Sequence, residues 1–249
     1  MNGGIIILLR ELCLLFDTLI CFGIPIAGVL ILSKKVGKAL KPFLKGMVAF
    51  TVSQLILRIP IISIVLPNFT WYQLLQLNLY PYGIFLGMTA GIFEETARLI
   101  FMKLFLKNRT RLGDGLAFGL GHGGIEAMVL VGVNCIATMI MYPMGYFDLS
   151  DTGCMTLLVG GFERIFAIAF HVGASLIVLY GIRTNRILRF TALAILLHAY
   201  IDSSVVILPK AFGVGIYNLE IYIMIVSSLV LIYGCWLFVH KHNNKGAII

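Results

Sequence analysis

Four short patterns of ionisable residues stand inside otherwise apolar stretches: Glu94-Glu95-x2-Arg98, His122-x3-Glu126, Arg164-x6-His171 and His198-x3-Asp202. Residues three, four or seven apart share a helix face, so each pattern reads as a polar stripe along a helix. Glu94, Glu95, Glu126 and Asp202 against Arg98 leave a strongly negative cluster. In a low dielectric that charge must be neutralised by protons on the carboxyls, protonated histidines, Arg164 or a bound cation. Of two adjacent carboxyls, one can hold a proton while the other serves as a general base. A glutamate base with histidine donors nearby is equipment for activating water on an amide. Glu94, His122, His171 and His198 could equally ligate Zn2+ and leave a coordination position open. The HExxH and GxSxG signatures are absent, and no Ser–Lys or Cys–His pairing is credible.

The elements that carry these stripes must be membrane helices. Hydrophobic residues make up 60% of the 249 and charged residues 12%, with a mean hydropathy of +1.00. Soluble domains carry about 25% charged residues. A compact soluble chain could not hide so much apolar surface. Disorder, a disulfide mini-protein, a fibrous protein and a soluble enzyme are excluded. Long apolar runs without a sustained period of two favour helices over a barrel. The expectation is an all-α, polytopic membrane helix bundle forming a single integral domain over 1–249, its motif-bearing core at about 79–208. Seven spans are expected, at about 5–32, 46–66, 79–102, 114–141, 156–180, 188–208 and 214–239. The first lacks a basic n-region followed by a small-x-small cleavage site and is not read as a removable signal peptide. No internal repeat suggests inverted transporter halves. Cys13, Cys21, Cys135, Cys154 and Cys235 form no CxxC pair and read as small buried hydrophobes.

Charge in the connections gives the orientation. The first holds Lys34, Lys35, Lys38, Lys41 and Lys45, the third Lys103, Lys107, Arg109 and Arg111, the fifth Arg183, Arg186 and Arg189, and the tail Lys241 and Lys245. The second has no Lys or Arg, the fourth only Asp148 and Asp151, and the sixth Lys210. The positive-inside rule then places the N-terminus outside and the C-terminus in the cytoplasm. The net charge of +8 lies between apolar segments, so its expected partner is the lipid bilayer, through anionic headgroups, and not nucleic acid. At about 1.5 Å rise per residue, Glu94, His122, His171 and His198 all fall about 12–15 Å from the cytoplasmic face. Four helices thus bring polar groups to one depth. Gly119, Gly121, Gly123 and Gly124 around His122 let a neighbouring helix or a substrate backbone come close. Arg58 has no evident polar partner in its own span and reads as a helix–helix donor. Glu163 and Arg164 read as a pair that meets other helices. Glu11, Asp17, Glu220 and His240 lie near span ends, where snorkelling accounts for them.

Glu94-Glu95-Thr96-Ala97-Arg98 resembles the paired-glutamate motif of the CAAX-protease and bacteriocin-processing superfamily of intramembrane peptidases. Phe118-x3-His122 resembles its second motif and His198-x3-Asp202 its last. More narrowly, Phe93-Glu94-Glu95 followed by Gly121-His122-Gly123-Gly124-Ile125-Glu126-Ala127 is similar to the YhfC family of bacterial membrane peptidases. The resemblance covers about residues 90–205. It implies peptide-bond hydrolysis inside the membrane, with Glu94 activating the water beside Glu95 and His122 assisting it. His198 and Asp202 would hold the oxyanion or take part in metal binding, with His171, Glu126 and Arg164 as additional candidates. Such peptidases are described both as glutamate peptidases and as metalloproteases, so the resemblance leaves the metal open. Two residues separate Glu95 from Arg98, where the CAAX type usually has three. The related PrsW type has two residues but a lysine, and the last motif often ends in Asn where Asp202 stands. These departures argue against prenylated substrates.

The expected function is thus an intramembrane endopeptidase of a bacterial plasma membrane, multi-pass, acting on a membrane protein or peptide from a site in the cytoplasmic half. The alternatives are a non-catalytic membrane scaffold and an ion- or proton-coupled transporter built on the same cluster.

Overall fold

The computed structural model describes residues 3–106, 109–146, 148–149 and 152–239. Lys107, Asp151, His240, Lys241 and Lys245, used in the charge reading, lie outside them. Among the described residues there are helices and no strands.

Helix α1 runs Gly3–Val36 and ends where Gly37 and Lys38 adopt left-handed backbone. Helix α2, Leu40–Phe50, carries Pro42 in its first turn, where a missing N–H costs no intrahelical bond. It continues as π-helix over Thr51–Arg58 and Ile61–Val65, then as a 3-10 turn over Leu66–Asn68. Helix α3 is short, Thr70–Gln76, and lies in the connection between the second and third expected spans; Tyr72 folds it down against Tyr82 and Phe85. Helix α4, Leu79–Phe101, passes into a π-turn over Met102–Leu106. Helix α5, Leu112–Ala127, joins α6, Val133–Met141, through a π-turn at Met128–Gly132. Helices α7, Cys154–Arg183, α8, Ile187–Phe212, and α9, Ile216–Val239, complete the bundle. Gly213 stops α8 in the left-handed region that favours glycine.

Among the described residues, six stretches are long and apolar enough to cross a membrane: Gly4–Val36, Leu40–Asn68, Leu112–Met141, Cys154–Arg183, Ile187–Phe212 and Ile216–Val239. Of the seven spans expected, the one at 79–102 falls outside this apolar set. The span expected at 79–102 is a helix, α4, but Glu94, Glu95 and Arg98 near its end and Tyr80, Pro81 and Tyr82 at its start lower its apolarity. It is held in place by packing on α8. Gly83, Gly87 and Gly91 form a stripe at four-residue spacing. A Cβ on Gly87 would strike the Ala199 carbonyl and Ser203, and one on Gly91 the Ile195 carbonyl. Small residues let the two backbones approach where no hydrophobic driving force separates helix from lipid.

Helix α7 is the centre of the bundle. Leu176, Ile177, Val178 and Leu179 are each at most 1% exposed, so the helix is enclosed on every side over that turn. Helix α5 lies against it through Gly119 and Gly123, which face Val172 and Ile168, while Gly121 faces the Phe43 carbonyl of α2. The glycines around His122 thus admit helices from two directions.

Asp17 departs from the snorkelling expectation. It is 1% exposed and covered by Gly161 of α7, because α1 passes alongside α7 there instead of facing lipid.

Candidate active site

The stripes on α4, α5, α7 and α8 converge. The imidazole centroids of His122 and His171 are 4.9 Å apart, and those of His171 and His198 are 5.4 Å apart. Glu94 reaches all three: its Oε2 is 3.0 Å from His122 Nε2 and 3.9 Å from His171 Nδ1, and its Oε1 is 3.6 Å from His198 Nε2. Tight α4–α8 and α5–α7 packing at glycines is what brings these four chain segments together.

Glu95 points to the other side of α4. Its two oxygens take Arg98 Nε at 2.8 Å and Arg98 Nη2 at 3.1 Å, and Oε1 also meets His198 Nδ1 at 2.9 Å. Arg98 is completely enclosed. It donates from Nη1 to the His171 carbonyl at 3.0 Å and to Ser175 Oγ, and from Nη2 to His171 Nδ1 at 3.0 Å. A guanidinium has no acceptor, so His171 Nδ1 accepts and its Nε2 carries the proton. That Nε2 is 2.5 Å from Glu126 Oε2, and Glu126 Oε1 takes Arg164 Nη1 at 2.9 Å. Arg164 also holds Glu163, so the i,i+7 stripe of α7 meets the i,i+4 stripe of α5 at Glu126.

The same logic orients the other two histidines. His198 donates from Nδ1 to Glu95, and its Nε2 faces Glu94 at 3.6 Å and Asp202 at 3.7 Å. His122 is fully buried, with Nδ1 lacking a partner beside the edge of Phe50. Its proton therefore lies on Nε2 and is donated to Glu94.

A cavity of about 370 Å³ opens onto the cluster. Glu94, Glu126, His171, His198 and Asp202 face it, as do Arg58 and Arg164. Apolar side chains including Leu86, Phe170, Ile201, Val205 and Ile223 complete its wall. Glu95, Arg98 and His122 are not among the residues that line it.

Two participants escape the motif reading. Gln54, on the π-helical part of α2, donates to Glu94 Oε1. Its own Oε1 accepts from Arg58 Nη1 at 3.1 Å, while Arg58 reaches Thr89 Oγ1 at 3.1 Å and the Leu86 carbonyl at 2.7 Å. The absence of a partner for Arg58 in its own span is thus corrected: Gln54 stands one turn before it. A buried amide four residues from a buried arginine was the available signal. Ser175, the second, gave none, since a serine in an apolar run is unremarkable in sequence.

Glu94, His171 and His198 each offer one ligand atom, and these atoms lie within 4.8 Å of one another, all on buried residues. His122, expected as a fourth ligand, is not in that group; it is engaged with Glu94 from the side.

A family model described as YhfC intramembrane metalloprotease matches residues 20–148 and 147–227. A protein of Bacillus subtilis (strain 168), named Uncharacterized membrane protein YhfC, is 33% identical across 84% of this chain and 89% of its own length. No solved structure matches. The matched segments contain all four converging stripes, and the chain belongs to the YhfC intramembrane metalloprotease family.

Proposed function

We propose that this protein is an intramembrane endopeptidase that hydrolyses a peptide bond at Glu94. The observation that carries the reading is a carboxylate that meets three imidazoles and faces a cavity walled by both charged and apolar side chains. Charge buried in a bilayer is expensive and calls for a function.

The donor set suits a metal ion once His171 Nδ1 exchanges its hydrogen bond from Arg98 for the ion. Glu94, His171 and His198 present a carboxylate and two imidazoles, the composition of open catalytic zinc sites. Glu95 holds the far nitrogen of His198, as outer-shell carboxylates do for metal-ligating histidines. These three residues would hold the ion, and Zn2+ suits nitrogen and oxygen donors of this kind. When bound, the ion supplies Lewis acidity that makes water attack on an amide feasible near neutral pH.

The remaining chemistry belongs to the chain. Glu94, oriented by Gln54 and His122, would hold the ion or, with no ion bound, take the proton from the attacking water as general base. His122 donates from Nε2 to Glu94 and holds that carboxylate in place. Arg58 and Asp202 stand at the cavity where an extended substrate backbone would lie, and Arg164 neutralises Glu126. Glu95 and Arg98 position His171 and His198 without touching substrate. Helical rise from the basic connections supports a site in the cytoplasmic half of a bacterial plasma membrane. The substrate is then a membrane protein or peptide whose cut segment is unwound.

The test uses the full chain in proteoliposomes with a pool of transmembrane peptides, products read by mass spectrometry. Cleavage should stop on chelation and return on adding zinc. Activity that survives exhaustive chelation would exclude the metal and leave the glutamate acting alone. No cleavage of any peptide at any metal loading would favour a scaffold.

A further inference from the structure

The cytoplasmic end expected from the basic connections carries two adjoining cavities away from the candidate active site. One, of about 520 Å³, lies between the α1–α2 turn and the start of α5 and is lined by Lys38, Arg109, Arg111 and Asp114. The other, of about 450 Å³, runs along the outer face of α2 and is lined by Leu40, Leu44 and Val48 together with Lys41 and Lys45. Lys38 and Arg109 belong to both. The two are therefore one continuous groove with a polar head and an apolar tail.

Its construction is specific. Gly37 and Lys38 take left-handed backbone, which turns the Lys38 carbonyl to accept from Arg109 Nη2 at 2.8 Å. Arg109 Nε holds Asp114 Oδ1 at 2.8 Å, so the one carboxylate in the groove is already paired. The other cations leave a surplus of positive charge. Leu40, Leu44 and Val48 recur every four residues and are 54%, 48% and 45% exposed, while the opposite face of α2 is buried through Phe43, Gly46 and Phe50. Lys45 lies over the Phe105 ring, 5.0 Å from its centroid, and so stands beside that apolar row.

We propose that this groove binds an anionic phospholipid, with its phosphate among Lys38, Arg109 and Arg111 and an acyl chain along Leu40, Leu44 and Val48. Charge complementarity selects the anionic headgroup, and the exposed leucine row selects a lipid over a free phosphate. The bound lipid would brace the α1–α2 turn against α5, the helix that carries His122.

The test is native mass spectrometry of the full chain, titrated in detergent with phosphatidylglycerol, with phosphatidylcholine of the same acyl chains, or with inorganic phosphate. The variant combines Lys38→Gln, Arg109→Gln and Arg111→Gln. Wild type should retain phosphatidylglycerol about tenfold or more over phosphatidylcholine, and the variant should lose that preference. Inorganic phosphate should not displace the lipid. Equal retention of both lipids by wild type overturns the proposal, as does a preference unchanged in the variant. Displacement by phosphate alone would reduce the site to a simple anion pocket and also overturn it. Should the triple variant fail to fold, the wild-type comparison decides by itself. None of these readouts depends on peptidase activity.

Discussion

Glu94 and Glu95 are neighbours in sequence and occupy opposite environments. Glu95 belongs to a closed floor in which Arg98, Ser175, His198 and the His171 carbonyl satisfy one another's hydrogen bonds. Glu94 belongs to an open wall, with the Nε2 atoms of His122 and His198 turned toward it and the cavity beyond. The difference arises from helical geometry: successive residues point about 100° apart, so one pair of glutamates serves two faces of α4. It teaches that a doubled acidic motif need not mean doubled chemistry. The floor fixes the imidazoles, and in the proposed function it is the wall that acts.

That contrast can be broken by substitution. The largest effect expected is for Glu94→Gln, which keeps shape and removes the base: cleavage should fall about 10²–10⁴-fold with the thermal midpoint unchanged. Arg98→Ala should act on folding instead. It strands Glu95 as an uncompensated buried charge, with a cost of about 3–5 kcal/mol seen as a lower midpoint in detergent and loss of folded chain on expression. Gln54→Ala touches the wall from outside the motifs. It should lower activity or metal affinity about 10–100-fold while leaving stability nearly intact, measured by turnover and zinc titration. Gly87→Ala tests the frame: its Cβ meets the backbone of α8, and a loss of about 1–3 kcal/mol in thermal or chemical unfolding is expected. Smallest is Asp202→Asn. Its side chain is 40% exposed and 3.7 Å from His198, so the account expects a change of less than about fivefold in turnover.

The site was legible because buried charge is rare in apolar sequence and helical spacing tells which charges share a face. Glu94, His122, His171 and His198 were placed at one level by rise alone, and their side chains meet. Gln54 was only faintly legible, because an amide one turn before Arg58 was its sole signal and because the π-helix from Thr51 to Arg58 departs from 3.6-residue spacing. Asp17 was misplaced for a related reason: depth along a span says nothing about which neighbour covers it. The fold class followed from composition, but the number of apolar spans did not. Helix α4 gives up apolar character to carry the glutamates, and its place depends on the Gly83–Gly87–Gly91 stripe against α8.

The most direct test compares Glu94→Gln with Glu95→Gln in identical proteoliposomes, measuring peptide cleavage per folded chain. Glu94→Gln should be folded and inactive, whereas Glu95→Gln should keep its cleavage per folded chain and lose only yield of folded protein. Cleavage by folded Glu94→Gln at the wild-type rate would contradict the account.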